Sequence, residues 1–90
     1  MAKYRLVIKE TAAKEIERVG QKRDRQRIVE RIHSLSENPR PFGYEKLSGH
    51  QERYRVRTGR YRIVYAIFDE ELVVYVVKVG HRKDVYRGDT

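Results

Sequence analysis

RYRVRTGRYR, residues 53–62, holds five arginines and no acidic residue in ten positions. The arginines alternate with Tyr54, Val56 and Tyr61, the period of two that a strand shows when one face is buried and the other open. Thr58-Gly59 lies in the middle, and glycine supplies the positive φ that a tight hairpin turn requires. With Thr58-Gly59 as the whole loop, Arg57 faces Arg60 and Arg55 faces Arg62, all on the face that also carries Arg53. Tyr54 and Val56 then meet Ile63 and Tyr61 on the other face. Like charges directly opposite one another destabilise a sheet. A solvated face that merely happens to be arginine-rich is the competing reading, but Lys or Thr would serve solubility without crowding guanidiniums. The pattern points to an anionic partner.

The whole chain has the same bias. Its 90 residues carry a net charge of +8, and the excess is spread evenly: 11 basic and 7 acidic groups in residues 1–45, 10 and 6 in residues 46–90. A basic domain of this kind suits nucleic acid, a membrane surface or an acidic protein. No cysteine is present, which removes disulfides, thiol chemistry and cysteine-based zinc sites. No apolar run is long enough for a membrane span and the N-terminus enters a strand pattern at once, so we expect no signal peptide, no membrane partner and a cytoplasmic location. One domain, residues 1–90, is expected.

Outward from the arginine stretch the order is legible. YRLVIK at residues 4–9 reads as a first strand. Thr11 is the expected N-cap of a short helix with Ala12, Ile16 and Val19 on one face, stopped by Gly20. A second helix is predicted over residues 22–37, with Ile28, Ile32 and Leu35 on one face, ended by Asn38-Pro39. Residues 38–52 hold both prolines and two of the six glycines, and read as a loop. Arg53–Arg57 and Arg60–Phe68 are the second and third strands. After a turn at Asp69-Glu70-Glu71, Leu72–Val79 is a fourth, apolar on both faces except at Lys78, and so internal to the sheet. The prediction is an α+β fold of order βααβββ: a small, largely antiparallel four-stranded sheet with two N-terminal helices packed on one face. Arg55, Arg57, Arg62 and Lys78 are then expected on the other face, over a floor of Val64, Ala66, Val74 and Val76.

Familiar catalytic signatures are missing: there is no glycine-rich phosphate loop, no HExxH, and no Ser/His/Asp constellation. His33, His50 and His81 do not form a metal-binding spacing, so neither metal nor cofactor is expected. His81 follows the buried fourth strand at what should be a site rim, where a structural and a functional role are equally open.

YRVRTGRYRIVYAIFDEELVVYVVKVGHRKDVY, residues 54–86, closely resembles the C-terminal half of the RelE family of toxins from toxin–antitoxin pairs. The resemblance continues weakly through the strand–helix–helix start, Asn38-Pro39 and Lys46-Leu47-Ser48-Gly49. It rests on the turn Gly59-Arg60-Tyr61-Arg62, with one residue inserted, together with the VGHRxxVY tail. It implies a RelE-like fold and a bacterial or archaeal toxin that enters the ribosomal A site and cuts mRNA there. The partners implied are the ribosome, mRNA and an acidic cognate antitoxin. Carried over by position, the family's active site falls on Arg55, Arg57, Arg62, Arg82 and Tyr86. Arg53, Arg60, Lys78, His81 and Lys83 are expected as further RNA contacts.

The reaction so implied is attack of a ribose 2′-OH on the adjacent phosphate, leaving a 2′,3′-cyclic phosphate and a 5′-OH. It requires no metal, but it does require positive charge on the phosphorane, a base and an acid. Arg62 suits phosphate stabilisation, Arg82 the leaving group, and Tyr86 a base or ribose contact, unless Tyr86 only folds back on the apolar floor. Some family members carry lysines where this chain has Arg55 and Arg57, and an arginine keeps its proton. Glu45, placed before Leu47 much as the catalytic glutamate of the YoeB-type branch, is the candidate base; a solvated loop carboxylate is the equal alternative. Two other functions compete: a ParE-like toxin that poisons gyrase without nuclease activity, and a small RNA-binding module.

Overall fold

The computed structural model describes residues 3–47, 49 and 52–81. Its elements are β1 (Arg5–Ile8), α1 (Glu10–Glu17), α2 (Lys22–Glu37), β2 (Glu45–Lys46), β3 (Arg53–Thr58), β4 (Tyr61–Phe68) and β5 (Val73–His81). The strands form one sheet in the order β1-β5-β4-β3-β2. β1 runs parallel to β5 and the other pairings are antiparallel. The α+β class and the two helices match expectation. The sheet, however, has five strands rather than four, because Glu45–Lys46 leaves the predicted loop to pair with Tyr54 and Arg55.

The helices form where the apolar spacing places them. Ile28, Ile32 and Leu35 of α2 and Ala12 of α1 are buried against Val56, Ile63, Tyr65, Ile67, Val74, Val76 and Val79 of the sheet. Fully burying a side chain such as Ile28 or Leu35 contributes about 1.5–3 kcal/mol. Thr11 is not the N-cap. Lys9 holds that position without a side-chain hydrogen bond, and its N–H donates to the Val76 carbonyl at 2.9 Å. The chain thus turns straight from β1 into α1, where Glu10 complements the helix dipole in the first turn. At the other end α1 stops at Glu17, and Arg25 of α2 donates to the Val19 carbonyl at 2.6 Å, closing the helical hairpin.

Two details of register differ from the sequence reading. The β3–β4 loop is Gly59-Arg60 rather than Thr58-Gly59, with Gly59 at φ +61°. Each partner therefore moves by two residues, which keeps the faces: Arg57 faces Arg62, Arg55 faces Val64, Val56 faces Ile63, and Tyr54 faces Tyr65. Arg60 stands in the turn and opposes no arginine. The second difference lies in β5. The register against β4 shifts between Val64 and Tyr65, which pair with Lys78 and Val76, so Val77 is an extra residue. A bulge of this kind reverses which side chains share a face. Val74 and Val76 consequently face the helices, and the floor beside the arginines consists of Val64 and Ala66 without them.

Candidate active site

β3 and β4 gather the arginines. Period-two alternation puts Arg53, Arg55 and Arg57 on one face of β3, and the pairing of Arg57 with Arg62 brings Arg62 to the same face. Arg57 is exposed, whereas Arg62 is only 4% exposed, deeper than an open basic face implies.

β2 adds a carboxylate to this group. Glu45 lies opposite Arg55, whose Nε and Nη2 donate to Glu45 Oε1 at 2.9 and 2.6 Å. Both bonds fall on one oxygen, so Arg55 does not use Oε2. The Arg55 hydrogen bond lowers the Glu45 pKa most, the Arg55 charge adds to this, and Arg57 and Arg62 lower it further. Glu45 is thus an ionised carboxylate within the field of three guanidiniums. Its side chain is 54% exposed, so water screens the pair and its contribution to stability is small.

The loop before β2 is built to deliver Glu45. The buried Tyr65 hydroxyl donates to the Pro39 carbonyl at 2.7 Å, and burial pushes its pKa up. Tyr44, Tyr54 and Tyr65 stack in a tilted ladder with centroid separations of 5.7 and 6.0 Å. Farther out, Arg40 forms a fork on Asp69 at 2.8 and 3.2 Å, and the Tyr4 hydroxyl donates to the same carboxylate at 2.7 Å. The residues just after β2 are pinned too, since the Leu47 N–H donates to the Arg53 carbonyl at 2.8 Å. None of this support is visible in the sequence, where YEKL is too short to show a period.

The remaining candidates are placed differently. The Lys78 ammonium is held by Glu15 of α1 at 3.1 Å. The His81 ring packs edge-on against Tyr61, with centroids 5.8 Å apart, and Tyr61 packs against the helix-side core. His81 therefore sits on the face opposite Arg57 and Arg62. Arg82, Lys83 and Tyr86, like His50, lie outside the described residues. Of the expected catalytic set, the structure brings together Arg55, Arg57, Arg62 and Glu45. Neither α1 nor α2 is long and apolar enough to cross a membrane.

Comparison with known proteins gives a consistent picture. A family model described as the ParE toxin of type II toxin–antitoxin systems matches residues 6–86. The mRNA interferase toxin RelE of Escherichia coli is 34% identical over 82 residues, covering 89% of this chain and 84% of that protein. In the archaeal RelE–RelB complex from Pyrococcus horikoshii, a chain aligns with a TM-score of 0.77 at 29% identity, covering 91% of this chain and 97% of that one. The toxin–antitoxin complex RelBE2 of Mycobacterium tuberculosis aligns with a TM-score of 0.78 at 27% identity, covering 91% and 94%.

Proposed function

This chain belongs to the RelE/ParE family of toxins of type II toxin–antitoxin systems, and we propose that it acts as a ribosome-dependent mRNA endoribonuclease. The observation that carries this reading is the ionised Glu45 carboxylate set beside Arg55, Arg57 and Arg62 on one sheet face. Cleavage by an internal nucleophile needs little more from a protein than a proton acceptor and fixed positive charge where the phosphorane forms.

In the proposed reaction the 2′-oxygen bonds to phosphorus as the bond from phosphorus to the 5′-oxygen breaks. Glu45 takes the 2′-OH proton, and a donor in residues 82–86, with Arg82 the candidate, supplies one to the departing oxygen. Arg62, planar and fixed, stabilises the equatorial phosphate oxygens, with Arg55 and Arg57 beside it. An arginine cannot act as the base, so Glu45 is the acceptor this face offers. Its lowered pKa keeps it ionised at neutral pH and also makes it a weak base, so its share of the rate is modest. Tyr86 is assigned a contact to a base or ribose. Residues 1–90 act as one toxin domain in the cytoplasm, with the ribosomal A site and mRNA as targets and an acidic cognate antitoxin as the neutralising partner.

Incubation with translating ribosomes, followed by mapping of mRNA 5′ ends, tests this. New ends within the A-site codon are expected, carrying a 5′-OH. The second reading is ParE-like poisoning of gyrase, favoured by the description of the matching family model. Intact mRNA together with inhibited supercoiling would replace the nuclease reading with that one.

A further inference from the structure

The far end of β5 is held by a residue that the mechanism above does not use. β1 pairs only with Val73–Val76, and the bond from Lys9 N–H to the Val76 carbonyl closes that ladder. Past the bulge at Val77, β5 keeps β4 on one side, and among the described residues no strand lies on the other. Yet Val79 is 1% exposed. A buried N–H without an acceptor is costly, so this strand edge needs a substitute for the missing carbonyl.

Glu15 of α1 supplies it. Its Oε1 accepts from the Val79 N–H at 2.9 Å, and its Oε2 accepts from Lys78 Nζ at 3.1 Å. The carboxylate is 28% exposed, and it sits in a hollow lined also by Arg18, Tyr61 and His81. What it holds matters for the site. The residue after Val79 is Gly80, directly opposite Arg62, and His81 follows opposite Tyr61. Gly80 presents no side chain at the position paired with Arg62. This same strand end leads into residues 82–86, which the family resemblance assigns to the reaction.

We propose that Glu15 is a positioning residue for the RNA-cleaving site, its carboxylate anchoring the end of β5 against Arg62. The proposal rests on the nuclease reading for its functional consequence and on the hydrogen bond to Val79 for its physical basis. Glu15 touches neither substrate nor reacting atoms. It acts through the strand, where misplacement by 1 Å costs on the order of 10²-fold in rate.

The test uses the full chain with Glu15→Ala and Glu15→Gln, read by single-turnover cleavage on programmed ribosomes and by hydrogen exchange at the Val79 amide. Glu15→Ala is expected to lower the maximal rate by about 10²-fold. Its half-saturating ribosome concentration should stay within about 2-fold, since uniform binding is untouched. Val79 protection should fall with the rate. Glu15→Gln keeps an acceptor for the Val79 N–H and should recover most of both, which also decides the matter if the alanine variant fails to fold. A wild-type maximal rate in Glu15→Ala, or a glutamine variant as slow as alanine with Val79 still protected, overturns the proposal. If the wild-type protein itself does not cut, the nuclease reading falls separately. Val79 protection and the Tyr61–His81 ring contact then decide the anchoring alone: loss of both in Glu15→Ala supports it, and retention overturns it.

Discussion

Two carboxylate–arginine pairs, Arg40–Asp69 and Arg55–Glu45, are built for different ends. At Asp69, Arg40 contributes a two-pronged fork and Tyr4 a hydroxyl, so the carboxylate has three bonds and ties together the segment after α2 and the residue before β1. At Glu45, Arg55 places both of its hydrogen bonds to this carboxylate on a single oxygen, and the charges of Arg57 and Arg62 add to the field around it. Both carboxyls are lowered in pKa, Asp69 to about 2 by Arg40 and then Tyr4. The Asp69 site consumes its charge in holding a loop, whereas the Glu45 site sets one carboxylate in the field of three arginines. An ion pair saturated by its partners supports structure, and one placed among several cations on an open sheet face suits binding and chemistry.

The comparison breaks most sharply at Arg62. Arg62→Ala should reduce single-turnover cleavage by about 10²–10³-fold, the loss typical of removing one donor to a developing oxyanion. Because Arg62 is buried, Arg62→Lys is the companion variant: it keeps a cation but loses the planar fork, and should remain well below wild type while denaturing at nearly the same urea concentration.

Glu45→Gln should follow, with cleavage lowered by about 10²-fold, the low end of general-base effects, because a carboxylate of depressed pKa is a weak base. Its urea midpoint should be unchanged, as the pair is screened. Cleavage at the wild-type rate would reduce Glu45 to a loop residue and leave the reaction to arginine electrostatics. In wild type the Glu45-dependent part of the rate should persist down to pH values below the usual carboxylate range, since the carboxyl must be protonated before it is lost.

Tyr65→Phe probes the support rather than the chemistry. Loss of the hydroxyl that binds the Pro39 carbonyl should cost about 0.5–1.5 kcal/mol in urea unfolding. Cleavage should fall less than in Glu45→Gln, because the Tyr44–Tyr54 contact still seats β2.

Asp69→Asn should have the smallest effect on cleavage, and its loss of stability should be present at neutral pH and vanish in acid. Its folded pKa lies below the ordinary value of 3.8, so the bond network contributes stability that is present above that value and disappears as pH falls toward about 2. Acid unfolding of wild type should therefore steepen in that window, and the Asn variant should lose that steepness while cutting RNA normally at neutral pH. A cleavage defect as large as that of Glu45→Gln would erase the distinction between the two pairs.

Much of this was legible beforehand, for identifiable reasons. The stripe Ile28, Ile32, Leu35 specifies a helix because burial must recur every three or four residues. The alternation in RYRVRTGRYR specifies a half-buried strand by the same logic at period two. Glu45 was visible as a candidate only through family resemblance, because a two-residue strand has no period to detect. The floor residues Val74 and Val76 were assigned to the wrong face since alternation was carried unbroken through β5. Val77 interrupts it, and a valine in a run of valines carries no mark of being the extra one.

The sequence by itself determined the element order, the apolar face of each helix and the concentration of arginine on one strand pair, because these follow from local periodicity and charge. Tertiary structure decided the rest: the Gly59-Arg60 turn that pairs Arg57 with Arg62, the bulge that turns Val74 and Val76 toward the helices, the fifth strand that sets Glu45 on Arg55, and the reach of Glu15 to Val79. Each of these is a choice among registers or partners nearly equal in local preference, and only the packing of residues far apart in sequence separates them in energy.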